Sequence, residues 1–457
     1  MSIIEGLLIF FAIILIYFIL VKYLSKKGIL EKYNISFYGP ALLLRTNKGK
    51  KFLTKIGSKK RFWKAFGSFS VIFCFLAMLV MVFILILQAW AVMGFTAEEK
   101  ELLPGPEFVL VLPGINPILP LEYLGYIILA LVVAIIVHEF SHGIMAIAGD
   151  IKVKSLGILY FIVPVGAFCE PDEEELKKVR TTKRMRVYGA GPLANFVVVL
   201  ISIIILSFVL MPAVEPAAEG ITIVSIDEDS PAGINDFKPG MIIKTINDTA
   251  VESFDDYFNL INDLKANQSI EISYYWYGHK SKTVVLSDKY EEYEKRDITN
   301  NNISNMGKGY FGIYPINSEG FLPVLKNPFG SIDHLLIFYI LPLWGYFQGY
   351  NPIVAPFTES YVINGPLGVL PANVFWVIVN ALYWILWLNL AVGLFNVLPM
   401  IPLDGGFLFN DAVGSFIKKI KKDITDEKKD KIVKNVSLII SLLILLAIIF
   451  PFLIKYI

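Results

Sequence analysis

Cysteine and histidine are scarce in this 457-residue chain, with two of the first and four of the second. Cys74 and Cys169 cannot by themselves build a disulfide framework or a cysteine-rich zinc site. Any histidine chemistry must draw on His138, His142, His279 and His334. Charge is also scarce: 18% of residues are charged, against about 25% in a typical soluble domain. The formal net charge is +1, so no overall field draws nucleic acid, and no nucleic-acid partner is expected. Glycine (33) and proline (24) stand near ordinary usage, which excludes collagen-like and low-complexity chains.

What is abundant is apolar surface. Hydrophobic residues make up 55% of the chain, and the mean hydropathy is +0.61. A spanning helix needs about 20 mostly apolar residues, and six segments qualify: 3–21, 66–95, 124–148, 187–211, 374–398 and 436–456. The first lacks a basic leader and a cleavage site, and reads as a retained anchor. Loop charge sets the orientation. Residues 22–64 carry thirteen Lys/Arg and one acid, residues 150–186 eight Lys/Arg, and residues 408–434 eight Lys/Arg, so all three are expected in the cytoplasm. Residues 96–122, with five acids and only Lys100, and residues 213–333, with nineteen acids against ten Lys/Arg, are expected outside. Six spans alternate consistently with these signs, with both termini outside. Residues 334–347 are too short to span and read as an interfacial or re-entrant helix on the outer side.

Residues 219–287 differ in kind. Short alternating runs (GITIVSI, MIIKTIN, SIEISYYWY, KTVVL) are separated by turn signals, and 254–265 shows helical spacing with Phe254, Phe258, Ile261 and Leu264 on one side. The expected unit is a small β-rich domain, and the run 230–261 resembles a PDZ domain of the permuted bacterial-protease type. Such domains bind extended peptides by adding a strand to a sheet edge; a plain spacer is the alternative. Residues 288–320 read as a loop or irregular extension.

The chemistry-bearing pattern is HEFSH at 138–142, at the end of an apolar run. On a helix, His138 and His142 share one face, so both imidazoles can converge on one zinc ion, with Glu139 placed to take a proton from water. Ionisable groups within a membrane helix are costly and mark function; the alternative is a helix end emerging into the cytoplasm. A third ligand is required. The metzincin spacing fails, because Met145 and Ala148 stand where glycine and histidine would be needed. Glu170 lies among Asp172–Glu175 and reads as part of a solvated acidic cluster. Asp404, in NVLPMIPLDGG at 396–406, is the stronger candidate: by the topology above it lies at the depth of His142. A helix-stop residue at the interface is its alternative reading.

HEFSH, AGPLAN at 190–195, the PDZ-like module, INGPLGV at 363–369 and NVLPMIPLDGG together resemble the site-2 protease family of intramembrane zinc metalloproteases, over roughly residues 120–410. The resemblance implies zinc as cofactor, His138, His142 and Asp404 as its ligands, and Glu139 as catalytic base. It also implies that Asn195 and Asn396 hold substrate or stabilise an oxyanion, with helix–helix hydrogen bonding as the competing role. Residues 151–169 match the family's membrane-associated β-hairpin that presents substrate.

The resulting expectation is a polytopic α-helical membrane protein of about six spans plus a re-entrant segment, with an inserted β-rich PDZ-like domain. Its parts are an N-terminal transmembrane pair with a basic loop (1–122), a membrane core in two pieces (123–212 and 321–410), the outer module with its extension (213–320), and a cytoplasmic loop with a last helix (411–457). Single-span membrane proteins are the expected substrates, peptide C-termini the possible ligands of the module, and the lipid bilayer, of a prokaryotic plasma membrane, the setting. The active site is expected near the cytoplasmic face. A non-catalytic PDZ scaffold and a zinc transporter are the rival readings, although transporters usually show internal repeats and none is visible here.

Overall fold

A computed structural model describes residues 3–32, 35–38, 41–46, 49–109, 113–161, 163–296, 298 and 302–456. The chain forms two compact units: residues 1–112, 122–200 and 385–457, and residues 113–121 and 201–384.

The first unit begins with helix α1 (Ile3–Lys26). The expected span 3–21 falls on it, but the side chains of residues 3–14 lie outside the described residues. Strands β1 (Ile35–Tyr38) and β2 (Ala41–Thr46) and helix α2 (Lys50–Gly57) follow. The sequence marks 22–64 only as a basic loop; here it contributes structure to the membrane core. After α3 (Lys60–Met93) and α4 (Leu124–Ala148) come strands β3 (Val153–Phe161) and β4 (Val163–Pro171), where the expected hairpin lies. All four strands form one antiparallel sheet in the order β1-β2-β3-β4, so β4 is an edge strand. Helix α5 (Glu173–Lys178) is capped by Asp172, whose carboxylate accepts from the Glu174 and Glu175 amides. Helix α6 (Thr181–Ile205) carries Pro192 in its interior, which removes one backbone donor there.

Leu53 of α2, fully buried, packs with Ile144, Leu156 and Cys169, locking α2, the HEFSH helix α4 and the sheet into one core. Burying such a side chain contributes about 1.5–3 kcal/mol.

In the second unit, β5 (Ile221–Ile226), β6 (Ile242–Ile246), β7 (Ser269–Tyr275) and β8 (His279–Val285) fall on the four expected runs, with helix α7 (Phe254–Asp263) between β6 and β7. Two expectations need correction. The face of α7 that packs inward carries Tyr257 and Ile261, while Phe254 and Phe258 are exposed and pack on each other with ring centroids 4.4 Å apart. Residues 288–320 are not simply irregular: β9 (Ile313–Asn317) pairs antiparallel with β5, because Phe311 and Ile313 fill the module's core. The sheet order is β8-β7-β6-β5-β9, with the short strand Thr249–Ala250 on β6. Residues 334–347 lie on helix α8 (Ile332–Gln348), 17 residues long.

Helix α9 (Ala372–Asn396) leads back into the first unit, followed by α10 (Asp404–Ile420) and α11 (Asp426–Ile454). The basic stretch 408–434, read as a loop, is therefore largely helical. Among the described residues, five helical segments are long and apolar enough to cross a membrane: Lys60–Met93, Leu121–Ala148, Thr181–Ala213, Ala372–Asn396 and Asp426–Ile454.

Candidate metal centre

The four-residue spacing on α4 puts the His138 and His142 rings on one face, with centroids 4.7 Å apart. Asp404 reaches them from the first turn of α10. Its Oδ2 lies 2.9 Å from His138 Nε2 and 3.2 Å from His142 Nε2. Among the described residues these three are the group of metal-ligating side chains that converge.

The turn that carries Asp404 depends on the two glycines after it. A Cβ on Gly405 would stand 2.2 Å from the Val397 carbonyl oxygen, and one on Gly406 would stand 2.6 Å from the Met400 carbonyl. Only a chain without side chains there can fold the start of α10 against the end of α9. Across from the ligands, α6 brings Gly191 so close that a Cβ would lie 2.5 Å from His142 Nε2 and 2.7 Å from His138 Nε2.

The hydrogen bonds behind the rings decide their tautomers. His142 Nδ1 lies 2.7 Å from the Val187 carbonyl oxygen, which can only accept, so Nδ1 donates. His138 Nδ1 lies 2.7 Å from Asn195 Oδ1. The orientation of that amide follows from its Nδ2, which donates to the Ala134 carbonyl at 3.0 Å and to Asn389 Oδ1 at 2.9 Å. When the rings are neutral, these bonds put the proton on Nδ1 of each and leave both Nε2 atoms with lone pairs. These point at Asp404 Oδ2, which is buried and has no hydrogen-bond donor among the described residues. A cation between the three ligand atoms would satisfy all of their lone pairs at once.

The spacing fits a metal. Ligand atoms about 2.0–2.1 Å from one tetrahedral ion stand about 3.3–3.4 Å apart, so the observed 2.9 and 3.2 Å would widen slightly around an ion. Two imidazoles and one carboxylate are a zinc donor set that leaves a fourth position open.

Glu139, half-buried on the same helix, accepts the Cys169 backbone N–H from edge strand β4 at 2.8 Å. A cavity of about 620 Å³ opens beside the centre, lined by His142, Asp404, Phe168, Cys169, Tyr188 and Phe407 among others. Glu170 does not join the ligands. The Ser155 hydroxyl and the Arg45 guanidinium engage its carboxylate and hold it below the usual carboxylate range, so it is a tie within the sheet rather than a merely solvated acid.

Of the two asparagines expected to meet substrate, Asn195 lies fully buried behind His138, with both ends of its amide engaged by the protein. Asn396 donates to the Val392 carbonyl of its own helix at 3.0 Å. His279 lies on β8 and His334 in the first turn of α8. Sequence reasoning did not single out Asn389, the Val187 carbonyl, the Cys169 amide or the steric role of Gly191. The only available signals were the unusual asparagine content of α9 and the glycine already present in AGPLAN.

Fold and site together describe a helical membrane protein in which two histidines and an aspartate converge as a candidate metal site. The chain belongs to peptidase family M50, a metalloprotease family, whose profile matches residues 126–444. An uncharacterized protein of Methanocaldococcus jannaschii is 26% identical over 419 residues, covering 91% of this chain and 87% of its own. A protein of Clostridium acetobutylicum named "Putative zinc metalloprotease" is 24% identical over 316 residues, covering 62% of this chain and 84% of its own. The PDZ domain of an SdrC-like protein from Listeria innocua is similar at 19% identity over 21% of this chain and 93% of that domain, with a TM-score of 0.17.

Proposed function

We propose that this protein is an intramembrane zinc metalloprotease of the site-2 protease type, which cleaves peptide bonds within or near the membrane segments of single-span proteins. The observation that carries the reading is the buried convergence of two imidazole Nε2 lone pairs on an orphaned carboxylate oxygen. His138, His142 and Asp404 would hold the ion. When bound, zinc polarises a carbonyl oxygen and acidifies water at neutral pH.

The chain's own groups do the rest. Glu139, one residue from the first ligand, takes a proton from water and returns it to the leaving amine. The Cys169 amide fixes the Glu139 carboxylate, which keeps further acceptor capacity for that proton. A substrate helix hides its carbonyls in its own hydrogen bonds and must unwind to be cut. Edge strand β4 offers a partner for the unwound segment by strand addition, and the neighbouring cavity gives its side chains room. Asn195, with its amide committed to His138, serves the ligands; substrate contact is assigned to Asn396 alone. The PDZ-like module, placed outside by its acidic surroundings, restricts access to pre-trimmed substrates or reads their new C-termini. The centre then faces the cytoplasmic side, and α8 lies at the outer interface.

The test compares wild type with Glu139→Gln on a tagged single-span membrane peptide. Wild type should cut it, a zinc chelator should stop the reaction, and Glu139→Gln should retain less than about one-hundredth of the rate, as loss of a general base predicts. Equal cleavage by both proteins would remove Glu139 from the mechanism.

A further inference from the structure

Asn389 lies in the interior of α9 and is fully buried. Its polar atoms are part of one directional chain. Nδ2 donates to the Ile385 carbonyl at 2.7 Å. A backbone carbonyl can only accept, so the amide cannot be turned round, and Oδ1 is the atom left facing Asn195. Asn389 Oδ1 accepts from Asn195 Nδ2 at 2.9 Å, and Asn195 Oδ1 accepts from His138 Nδ1 at 2.7 Å. Donor and acceptor alternate without a break from a fixed carbonyl of α9 to the lone pair on His138 Nε2.

We infer that Asn389 is a positioning residue of the metal centre: through Asn195 it holds His138 in the tautomer that presents Nε2 to the metal. The inference rests on the metalloprotease reading above. Its physical basis is the symmetry of a carboxamide. An Asn195 amide turned by 180° fits the same space, but it would aim an N–H₂ group at His138 Nδ1. The ring would then have to carry its proton on Nε2, where a ligand needs a lone pair. Two acceptors prevent that turn, the Ala134 carbonyl at 3.0 Å and Asn389 Oδ1. Removing one weakens the preference without abolishing it, and leaves one Asn195 N–H buried and unpaired. Outer-shell partners of this kind are worth about 10–100-fold in metal affinity.

The experiment measures zinc affinity of the full-length protein in detergent by chelator competition, with no substrate present. Four proteins are compared: wild type, Asn389→Leu, Asn195→Asp and the Asn195→Asp/Asn389→Leu double variant. A carboxylate at 195 has an acceptor oxygen for His138 Nδ1 in either orientation, so Asn389 has no orientation left to select; its other oxygen would face Asn389 Oδ1, a repulsion that Asn389→Leu relieves. Asn389→Leu should weaken zinc binding about 10–100-fold, and the double variant should bind zinc at least as well as Asn195→Asp alone, because the loss depends on the amide. If Asn389→Leu does not fold, Asn389→Ala, which adds no bulk, is read in its place in both backgrounds. Wild-type affinity in the single variant overturns the inference. So does an undiminished loss in the double variant, which would mark a packing role. Wild type that takes up no zinc overturns the metal reading itself and the inference with it, so the two failures are distinguishable.

Discussion

Gly191 shows how much one methyl group can decide. Alanine is the better helix former by about 1 kcal/mol, so Gly191→Ala should leave α6 intact or strengthen it. Its Cβ would nonetheless stand 2.5 and 2.7 Å from the two Nε2 atoms that would hold an ion, so the rings or α6 would have to shift. We expect the variant to retain its circular dichroism and to hold less than about one-tenth of the wild-type zinc after dialysis, on the scale that distortion of a ligand shell carries. Wild-type stoichiometry would show that α4 and α6 can move apart at no cost. At this scale HEFSH was legible in the sequence, since a four-residue spacing means one face on any helix. Asn389 was not legible. Helix α9 carries asparagines at 373, 380, 389 and 396, and nothing in the linear pattern says which one meets Asn195.

Between elements, an ionic tie joins α10 to α6. Asp411, two turns beyond Asp404 on α10, receives Arg184 of α6 through both carboxylate oxygens, with Arg184 Nε at 3.0 and 2.8 Å and a second contact from Nη2. The side chains are only 22% and 11% exposed, so neither charge is free to relax into water. A bidentate, largely buried pair of this kind is far from a surface ion pair. In a double-mutant cycle with Arg184→Ala and Asp411→Ala, unfolding in detergent should give a coupling energy of about 1–3 kcal/mol. Additive losses would show that the two helices are aligned by packing alone. The sequence placed Arg184 in a basic loop near the membrane and Asp411 in another loop; only the helical continuation of α10 through Ile420 brings them together. The same holds for β1 and β2. Their residues read as a charged connector, yet they complete the sheet whose far edge, β4, carries the amide on Glu139.

For the whole molecule, the β-rich module has a boundary that its strands set. β9 pairs with β5, so an excision ending at residue 287 would leave that edge bare and strand residues 313–317 without a partner. A clean deletion removes 219–317. If the module excludes untrimmed substrates, this deletion should allow single-span substrates with intact outer domains to be cut at rates approaching those of trimmed ones. Intact substrates that stay uncut would refute the exclusion role.

The sequence alone determined the apolar spans, the β-rich insertion and the pair of histidines. Each of these follows from local period or spacing, which survives without knowledge of any distant contact. It also offered Asp404 as a partner, through loop charge and through resemblance. Tertiary structure decided what no local pattern encodes: that Asp404 Oδ2 lies within 3.2 Å of both imidazole nitrogens, that Gly191 leaves the space beside them, and that the buried amides of Asn195 and Asn389 line up behind His138. Those facts depend on helices far apart in the chain meeting at fixed depth and rotation, and hydrogen-bond direction has no meaning until they meet.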